Sequence, residues 1–297
     1  HGRAPRHGVA AAERRSAAMA ADEAPRPDPV GVAKALESHW VETPLGQVEV
    51  KLAVPAGERP VALALMVHGM SPAPEIIWEW GCIVDALRQR KTAVIYPNLH
   101  TCDATTPAGA TPGAVASALE SIIAWARGQV DGGAEAPLLV YGKSWGGARA
   151  LELCLHLPAA AVAGLVLACP APSKMEDRAA RLAKWKAPVL LIWAKDDEVI
   201  PFAASESLLA ELRARGPAVF VPVEAGGHSV ARMAAASEAL ATKLVEWPDL
   251  ALGPLAAGGL LSQLAAASPS AAGQDSGPEE QAKPPARAGA FDLSGMM

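Results

Sequence analysis

Several features that would indicate other classes of protein are missing from this chain. Only 4% of its 297 residues are aromatic, and its net charge of −5 gives no basic field that would attract nucleic acid. No apolar run approaches the roughly 20 residues needed to span a bilayer. No G-x-G-x-x-G sequence follows a strand-like run, which disfavours a dinucleotide-dependent oxidoreductase. We therefore expect no nucleic-acid partner and no transmembrane segment.

Cysteine is also scarce, and its spacing forms no recognisable framework. The four cysteines are Cys82, Cys102, Cys154 and Cys169. A chain of this length needs no disulfide scaffold, so we expect reduced thiols in the core. His100, Cys102 and Asp103 lie close together, but the sequence offers no second pair of metal ligands. We expect neither a metal ion nor a cofactor.

Composition divides the chain into three parts. Residues 1–41 are rich in Pro, Ala and Arg, and we expect them to be disordered or to act in targeting. Their start resembles part of an organellar transit peptide, although a cytoplasmic location is the main expectation. Residues 251–297 form a low-complexity tail that we expect to be disordered. The remaining residues, 42–250, are predicted to form one domain.

Within this domain, seven strand-like apolar runs alternate with helical stretches. The runs cover residues 47–54, 61–67, 92–97, 137–142, 162–169, 188–194 and 218–224. The helical stretches cover about 75–90, 114–128, 146–157, 203–215 and 229–247. This alternation predicts an α/β fold with an open, doubly wound, mostly parallel sheet. In such a sheet, ligands bind beyond the carboxyl ends of the strands.

A G-x-S-x-G sequence, from Gly142 to Gly146, follows the fourth apolar run and precedes a helical stretch. A serine that projects above a sheet needs a sharp, strained turn, and side chains two residues before or after it would collide. The N–H of Trp145 would open the helix and could stabilise an oxyanion. We therefore predict that Ser144 is a nucleophile. An ordinary glycine-rich turn is the alternative.

A serine nucleophile needs a base, and the base needs a carboxylate. Two histidines follow Ser144: His156 lies on the next helical stretch, and His228 lies on a turn after the last apolar run. We prefer His228 as the base. The acids Asp196, Asp197 and Glu198 follow the sixth run, where they could form a solvated turn or a helix N-cap. The position between serine and histidine favours a triad acid.

Four motifs together resemble the α/β-hydrolase superfamily over residues 47–247. They are VHGM at 67–70, GKSWGG at 142–147, AKDDEVIP at 194–201 and GGHS at 226–229. The resemblance implies the order Ser144, Asp197, His228, and it selects Asp197 over Asp196. It also implies an oxyanion hole in which the N–H of Met70 or Ser71 pairs with that of Trp145.

The sequence departs from the family pattern at two places and limits the size of any lid. Ala194 replaces a common glycine, and a long Pro/Gly-rich loop at 98–113 replaces a tight glycine turn. Residues 170–187 leave room for one short helix, so we expect a very short lid. A solvated amphipathic helix is preferred there over a basic rim for acidic substrates. Trp78 and Trp80 are candidates for lining an acyl pocket.

We expect a serine hydrolase that cleaves a small soluble ester or thioester through an acyl-enzyme. Two alternatives stay open: an acyltransferase or deacylase that uses the same triad, and a non-catalytic ligand receptor on the same fold. The expected partner is a small-molecule acyl substrate. The oligomeric state and the natural substrate do not follow from the sequence.

Overall fold

The structure is a computed structural model that describes residues 28–102, 111–172 and 178–253. The described part begins before residue 42, the expected start of the domain. Helix α1 (Pro29–Lys34) begins after Asp28, whose side chain accepts a hydrogen bond from the N–H of Val30, and strand β1 (Ser38–Thr43) follows. The proposed tail from residue 254 onward and residues 1–27 lie outside the described residues.

Eight strands and the helices between them make up the described fold. The other strands are β2 (Gly46–Ala53), β3 (Ala62–Val67), β4 (Thr92–Asn98), β5 (Leu138–Lys143), β6 (Val162–Ala168), β7 (Val189–Ala194) and β8 (Ala218–Val223). The helices are α2 (Pro74–Ile77), α3 (Gly81–Gln89), α4 (Pro112–Gln129), α5 (Trp145–His156), α6 (Arg178–Lys184), α7 (Ala204–Arg215), α8 (Val230–Ala236) and α9 (Glu238–Leu252). A 3-10 turn (Leu99–Thr101) follows β4.

The strands form one open sheet in the order β1-β2-β4-β3-β5-β6-β7-β8. The β1–β2 and β2–β4 pairs are antiparallel, and every other neighbouring pair is parallel. All side chains of β3, β4, β5 and β7 are buried, as continuously apolar runs in a sheet covered on both faces require. The predicted doubly wound, mostly parallel sheet is confirmed. All seven predicted strands are present, and β1 is an additional strand.

Helices pack against the sheet in two groups. In the first group, helix α3 contacts β4, α1 and α9. In the second group, α4 contacts α5, α5 contacts α6, and α6 contacts α7. Helix α6 lies between β6 and β7 and buries Leu182, and Trp185 directly after it is also buried, which matches the short connection expected there. Residues 173–177 of this connection lie outside the described residues. None of the described helices is long and apolar enough to cross a membrane.

Candidate active site

The turn between β5 and α5 holds Ser144 in an unusual backbone conformation. Its φ of 56° and ψ of −125° lie outside the regions that a serine ordinarily occupies. The N–H of Ser144 donates to the carbonyl of Ala168 at 3.0 Å, and its carbonyl accepts from the N–H of Ala171 at 2.8 Å. Contacts of this kind are needed to hold a strained residue, which costs about 1–3 kcal/mol.

Two glycines make this turn sterically feasible. A Cβ atom on Gly146 would lie 2.1 Å from the carbonyl oxygen of His68, and one on Gly142 would lie 2.5 Å from that of Gly146. No side chain tolerates such contacts with backbone atoms. The collision that the sequence predicted is therefore present at both positions. The close approach also brings the start of α5 against the end of β3.

Asp197 and His228 meet at the carboxyl edge of the sheet, beyond β7 and β8. Asp197 Oδ2 lies 2.8 Å from His228 Nδ1, and Asp197 Oδ1 accepts from the N–H groups of Val199 and Ile200 at 2.9 Å each. A carboxylate can only accept, so Nδ1 carries the proton in this bond. Burial opposes ionisation, but hydrogen bonds from His228, Ile200 and Cys169 hold the pKa of Asp197 below its usual value.

The neighbouring Asp196 has a different environment. It is exposed, and its two oxygens accept from the N–H groups of Gly227 at 2.8 Å and Gly226 at 3.1 Å. These two bonds lower the pKa of Asp196. The structure thus places Asp197 against His228, and Asp196 against the backbone of the turn that precedes His228.

In the described part of the chain, no hydrogen bond joins Ser144 to His228. His228 Nε2 is buried and has no partner among the described residues. Cys169 connects the two residues indirectly. The N–H of Ser144 donates to the carbonyl of Ala168, the residue before Cys169, and the Cys169 sulfur lies within 4.8 Å of an Asp197 carboxylate oxygen and a His228 ring nitrogen. Hydrogen bonds between nucleophile and base are often long in unliganded sites and tighten when substrate binds.

The predicted oxyanion loop begins directly after β3. Met70 and Ser71 are partly exposed there, and the Ser71 hydroxyl accepts from the N–H of Ala73 at 3.2 Å. Within the described residues, no hydrogen bond uses the N–H of Met70 or Trp145. Because Gly146 touches the carbonyls of Val67 and His68, this loop lies beside the N-terminus of α5. Both amides are free to bind an oxyanion.

His68 fixes the shape of this loop. Its Nδ1 lies 2.6 Å from the carbonyl of Gly69, and its Nε2 accepts from the N–H of Leu99 at 3.0 Å. Full burial lowers the pKa of His68 to about 4, so the ring is neutral at physiological pH. The His100 ring stacks on it at 5.0 Å. Burial also lowers the pKa of His100.

Trp78 and Trp80, the candidates for lining an acyl pocket, are buried side chains. Trp80 is fully buried against Tyr141, and Trp78 is 6% exposed and packs against Tyr96. Between them, however, lies a residue that the sequence analysis missed. Glu79 is buried 3.3 Å from the Nζ of Lys143, the residue before Ser144.

Cys169 was also expected only as a core thiol. It has a φ of 41°, is fully buried, and hydrogen-bonds to Asp197. With Asp197 and His228 it forms a cluster of three groups that could hold a metal ion. Burial raises the pKa of the Cys169 thiol, and the protonated sulfur can donate a hydrogen bond to Asp197.

Comparison with solved structures agrees with the topology. A predicted CIB-like hydrolase from Thermoplasma acidophilum is 18% identical with a TM-score of 0.56, covering 73% of this chain and 99% of its own. A lidless α/β serine hydrolase from Xanthomonas campestris is 18% identical with a TM-score of 0.53, covering 71% and 94%. This chain has the α/β-hydrolase fold. An esterase domain from Rhodothermus marinus has it too, at 18% identity, a TM-score of 0.54, and 71% and 97% coverage.

No family model and no curated protein sequence matches the chain. The likeness therefore lies in the three-dimensional structure and the four short motifs. At 13–21% identity, the similar structures establish the fold of this chain and leave its reaction to be inferred from the site.

Proposed function

We propose that the protein is a serine hydrolase that cleaves a small soluble ester or thioester through an acyl-enzyme. The observation that carries this proposal is the 2.8 Å hydrogen bond between Asp197 Oδ2 and His228 Nδ1. This bond fixes the tautomer in which Nε2 lacks a proton and can act as a base. The strained turn at Ser144 and the unpaired amides beside it supply the other parts of the apparatus.

In the proposed acylation step, Ser144 Oγ attacks the carbonyl carbon of the substrate while His228 Nε2 takes the hydroxyl proton. The carbonyl oxygen becomes an oxyanion, which the N–H groups of Trp145 and of Met70 or Ser71 stabilise. His228 then gives its proton to the leaving alcohol or thiol as the carbon–oxygen or carbon–sulfur bond breaks. Asp197 stays ionised, since its pKa is lowered, and stabilises the imidazolium.

Deacylation repeats this sequence with water. His228 Nε2 removes a proton from the water, whose oxygen attacks the acyl carbon, and Ser144 leaves with that proton. Several of the similar structures carry the names esterase or serine hydrolase, which supports an ester substrate for this chain as well. An acyltransferase would use the same residues with an amine or thiol in place of water, and a deacylase would use them with water to remove an acyl group from an acylated amine or thiol.

The decisive experiment is labelling of the full chain with a fluorophosphonate probe. Wild-type protein should label, and a Ser144→Ala variant should not. The nucleophile assignment is wrong if the wild type stays unlabelled or if the variant labels equally. A series of nitrophenyl esters of increasing acyl length, measured on the same preparations, then gives the size of the acyl pocket. Added amines or thiols distinguish transfer from hydrolysis.

A further inference from the structure

A pair of opposite charges is buried directly beneath the candidate site. Lys143 is the last residue of β5 and precedes Ser144, and Glu79 lies between α2 and α3. Both side chains are 2% exposed, and Lys143 Nζ lies 3.3 Å from Glu79 Oε2. Removing two charges from water costs so much that such a pair seldom adds stability. A role other than stability would account for its presence.

The cation of this pair contacts the loop that carries the proposed oxyanion amides. A Cβ atom on Gly69 would lie 3.5 Å from both Cδ and Nζ of Lys143. The Lys143 side chain therefore packs directly beneath the backbone between His68 and Met70. The same residue is joined to Ser144 by a peptide bond, so its position affects both the nucleophile and the loop beside it.

The anion of the pair reaches the segment that carries the base. Glu79 Oε1 accepts from the N–H of Val230 at 2.6 Å. Val230 is the first residue of α8 and follows His228 by two positions. Glu79 thereby fixes the start of the helix onto which the His228 turn leads. On the other side of His228, Asp196 bonds to Gly226 and Gly227.

We propose that Lys143 and Glu79 are positioning residues that hold the Ser144 turn, the oxyanion loop and the His228 segment in register. The proposal rests on the proposed function, since it concerns the geometry of the same nucleophile and base. Three segments far apart in the sequence meet at this one pair. Neither side chain touches the reacting atoms.

The matched control is a buried cation at the opposite end of the sheet. Arg215 is 5% exposed, its Nη1 donates to the carbonyls of Trp185 and Ala187, and it lies over the Trp185 ring at 4.3 Å. It ends α7 just before β8, so it lies at the amino edge. An Arg215→Met variant should lose stability without changing the reactivity of the protein that remains folded.

The test compares Glu79→Gln, Lys143→Met, the double variant and Arg215→Met in the full chain. The double variant removes both charges, and the glutamine introduced at position 79 can still accept from the N–H of Val230. Fluorophosphonate labelling rates and kcat and KM for a short-chain nitrophenyl ester are measured below each variant's unfolding temperature. We expect labelling and kcat of the double variant to fall about 10- to 100-fold, as a misplacement of reacting groups by about 1 Å does. KM should change by less than about twofold.

The inference is overturned if the folded double variant labels at the wild-type rate. It is also overturned if Arg215→Met lowers kcat as much, because the loss would then reflect general destabilisation. If Lys143→Met does not fold, Glu79→Gln alone gives the same comparison. A wild type that fails to label refutes the proposed function itself, whereas a labelled wild type with unchanged variants refutes only the positioning role.

Discussion

The two edges of the sheet use their polar side chains in different ways. At the amino edge, Arg127 Nη1 donates to the backbone carbonyls of residues 133, 134 and 136, and the ion pair of Arg59 with Glu135 is exposed. At the carboxyl edge, buried side chains pair with each other, as Asp197 does with His228 and Lys143 with Glu79. Backbone groups need partners in any fold. Buried pairs of titratable side chains are instead typical of functional sites.

Backbone strain follows the same division. Lys91, near the amino edge, has a φ of 57°, and it follows helix α3, where a left-handed residue commonly ends a helix. Ser144 and Cys169 at the carboxyl edge have positive φ values without such a reason. Two of the three described non-glycine residues with positive φ, together with the Asp197–His228 and Lys143–Glu79 pairs, therefore lie where the proposed chemistry takes place. Variants at the two edges test whether this placement matters for activity.

The largest expected effect is that of Ser144→Ala. Hydrolysis of a nitrophenyl ester should fall by about 10⁴-fold or more, since no other side chain takes over the attack. Stability should change little, because only a hydroxyl is removed. Activity assays check the expected loss of hydrolysis, and thermal unfolding of the same preparation checks that stability is unchanged. A variant that keeps more than about a tenth of the wild-type rate would contradict the assignment.

The adjacent acids offer a comparison within a single turn. Asp197→Asn should lower kcat about 10⁴-fold, because an amide favours the wrong tautomer of His228. Asp196→Asn should lower it less than about tenfold, because an asparagine oxygen can still accept from one of the two glycine amides. Steady-state kinetics of both variants measure this difference in kcat. Equal losses would show that the turn beneath His228 matters as much as the acid beside it.

The neutral His68 predicts a pH dependence of stability. Its folded pKa is about 4 and its unfolded value 6.5, so between these values only the unfolded chain binds the proton. Stability should therefore fall as pH decreases through this window, by about 3 kcal/mol in total. Urea unfolding at about pH 7 and about pH 4.5 measures the loss.

His68→Gln is the matching variant, since glutamine can still donate to Gly69 and accept from Leu99. Its stability should depend less on pH between 6.5 and about 4 than that of the wild type. The lowered pKa values of Asp196 and Asp197 act in a lower window, because their contributions are lost only as pH falls below their unfolded value of about 4. If the stability of the variant depends on pH as steeply as that of the wild type, groups other than His68 cause the pH dependence.

The sequence predicted those parts of the fold and site that depend on local patterns. Continuous apolar runs identified seven strands, and the collision at Gly142 and Gly146 follows from the geometry of one turn. Strand β1 was missed because SHWVET is an edge strand with three exposed residues, one of them Trp40 at 58%. Helix α1 has only six residues and no strong period.

The contacts that support the site could not be predicted, because they join distant segments. Residues 79, 143 and 230 meet only after the sheet has formed, and no local pattern marks Glu79 as a partner of Lys143. Trp78 and Trp80 were assigned to a pocket by their closeness to a motif. Their burial against Tyr96 and Tyr141 depends instead on how the α2–α3 segment packs on the sheet.

The smallest expected effects come from two glycines that differ in what surrounds them. Gly146→Ala would place a Cβ atom against the carbonyls of His68 and Val67, whereas nothing lies within 4 Å of one on Gly128, near the amino-edge end of α4. Gly146→Ala should therefore destabilise the protein by about 1–3 kcal/mol or more. Gly128→Ala should stabilise it by up to about 1 kcal/mol, because alanine favours the helix. Urea denaturation of the two variants, with equal m-values, tests whether the close approach of α5 to the end of β3 excludes a side chain at position 146; destabilisation of similar size at both positions would contradict this.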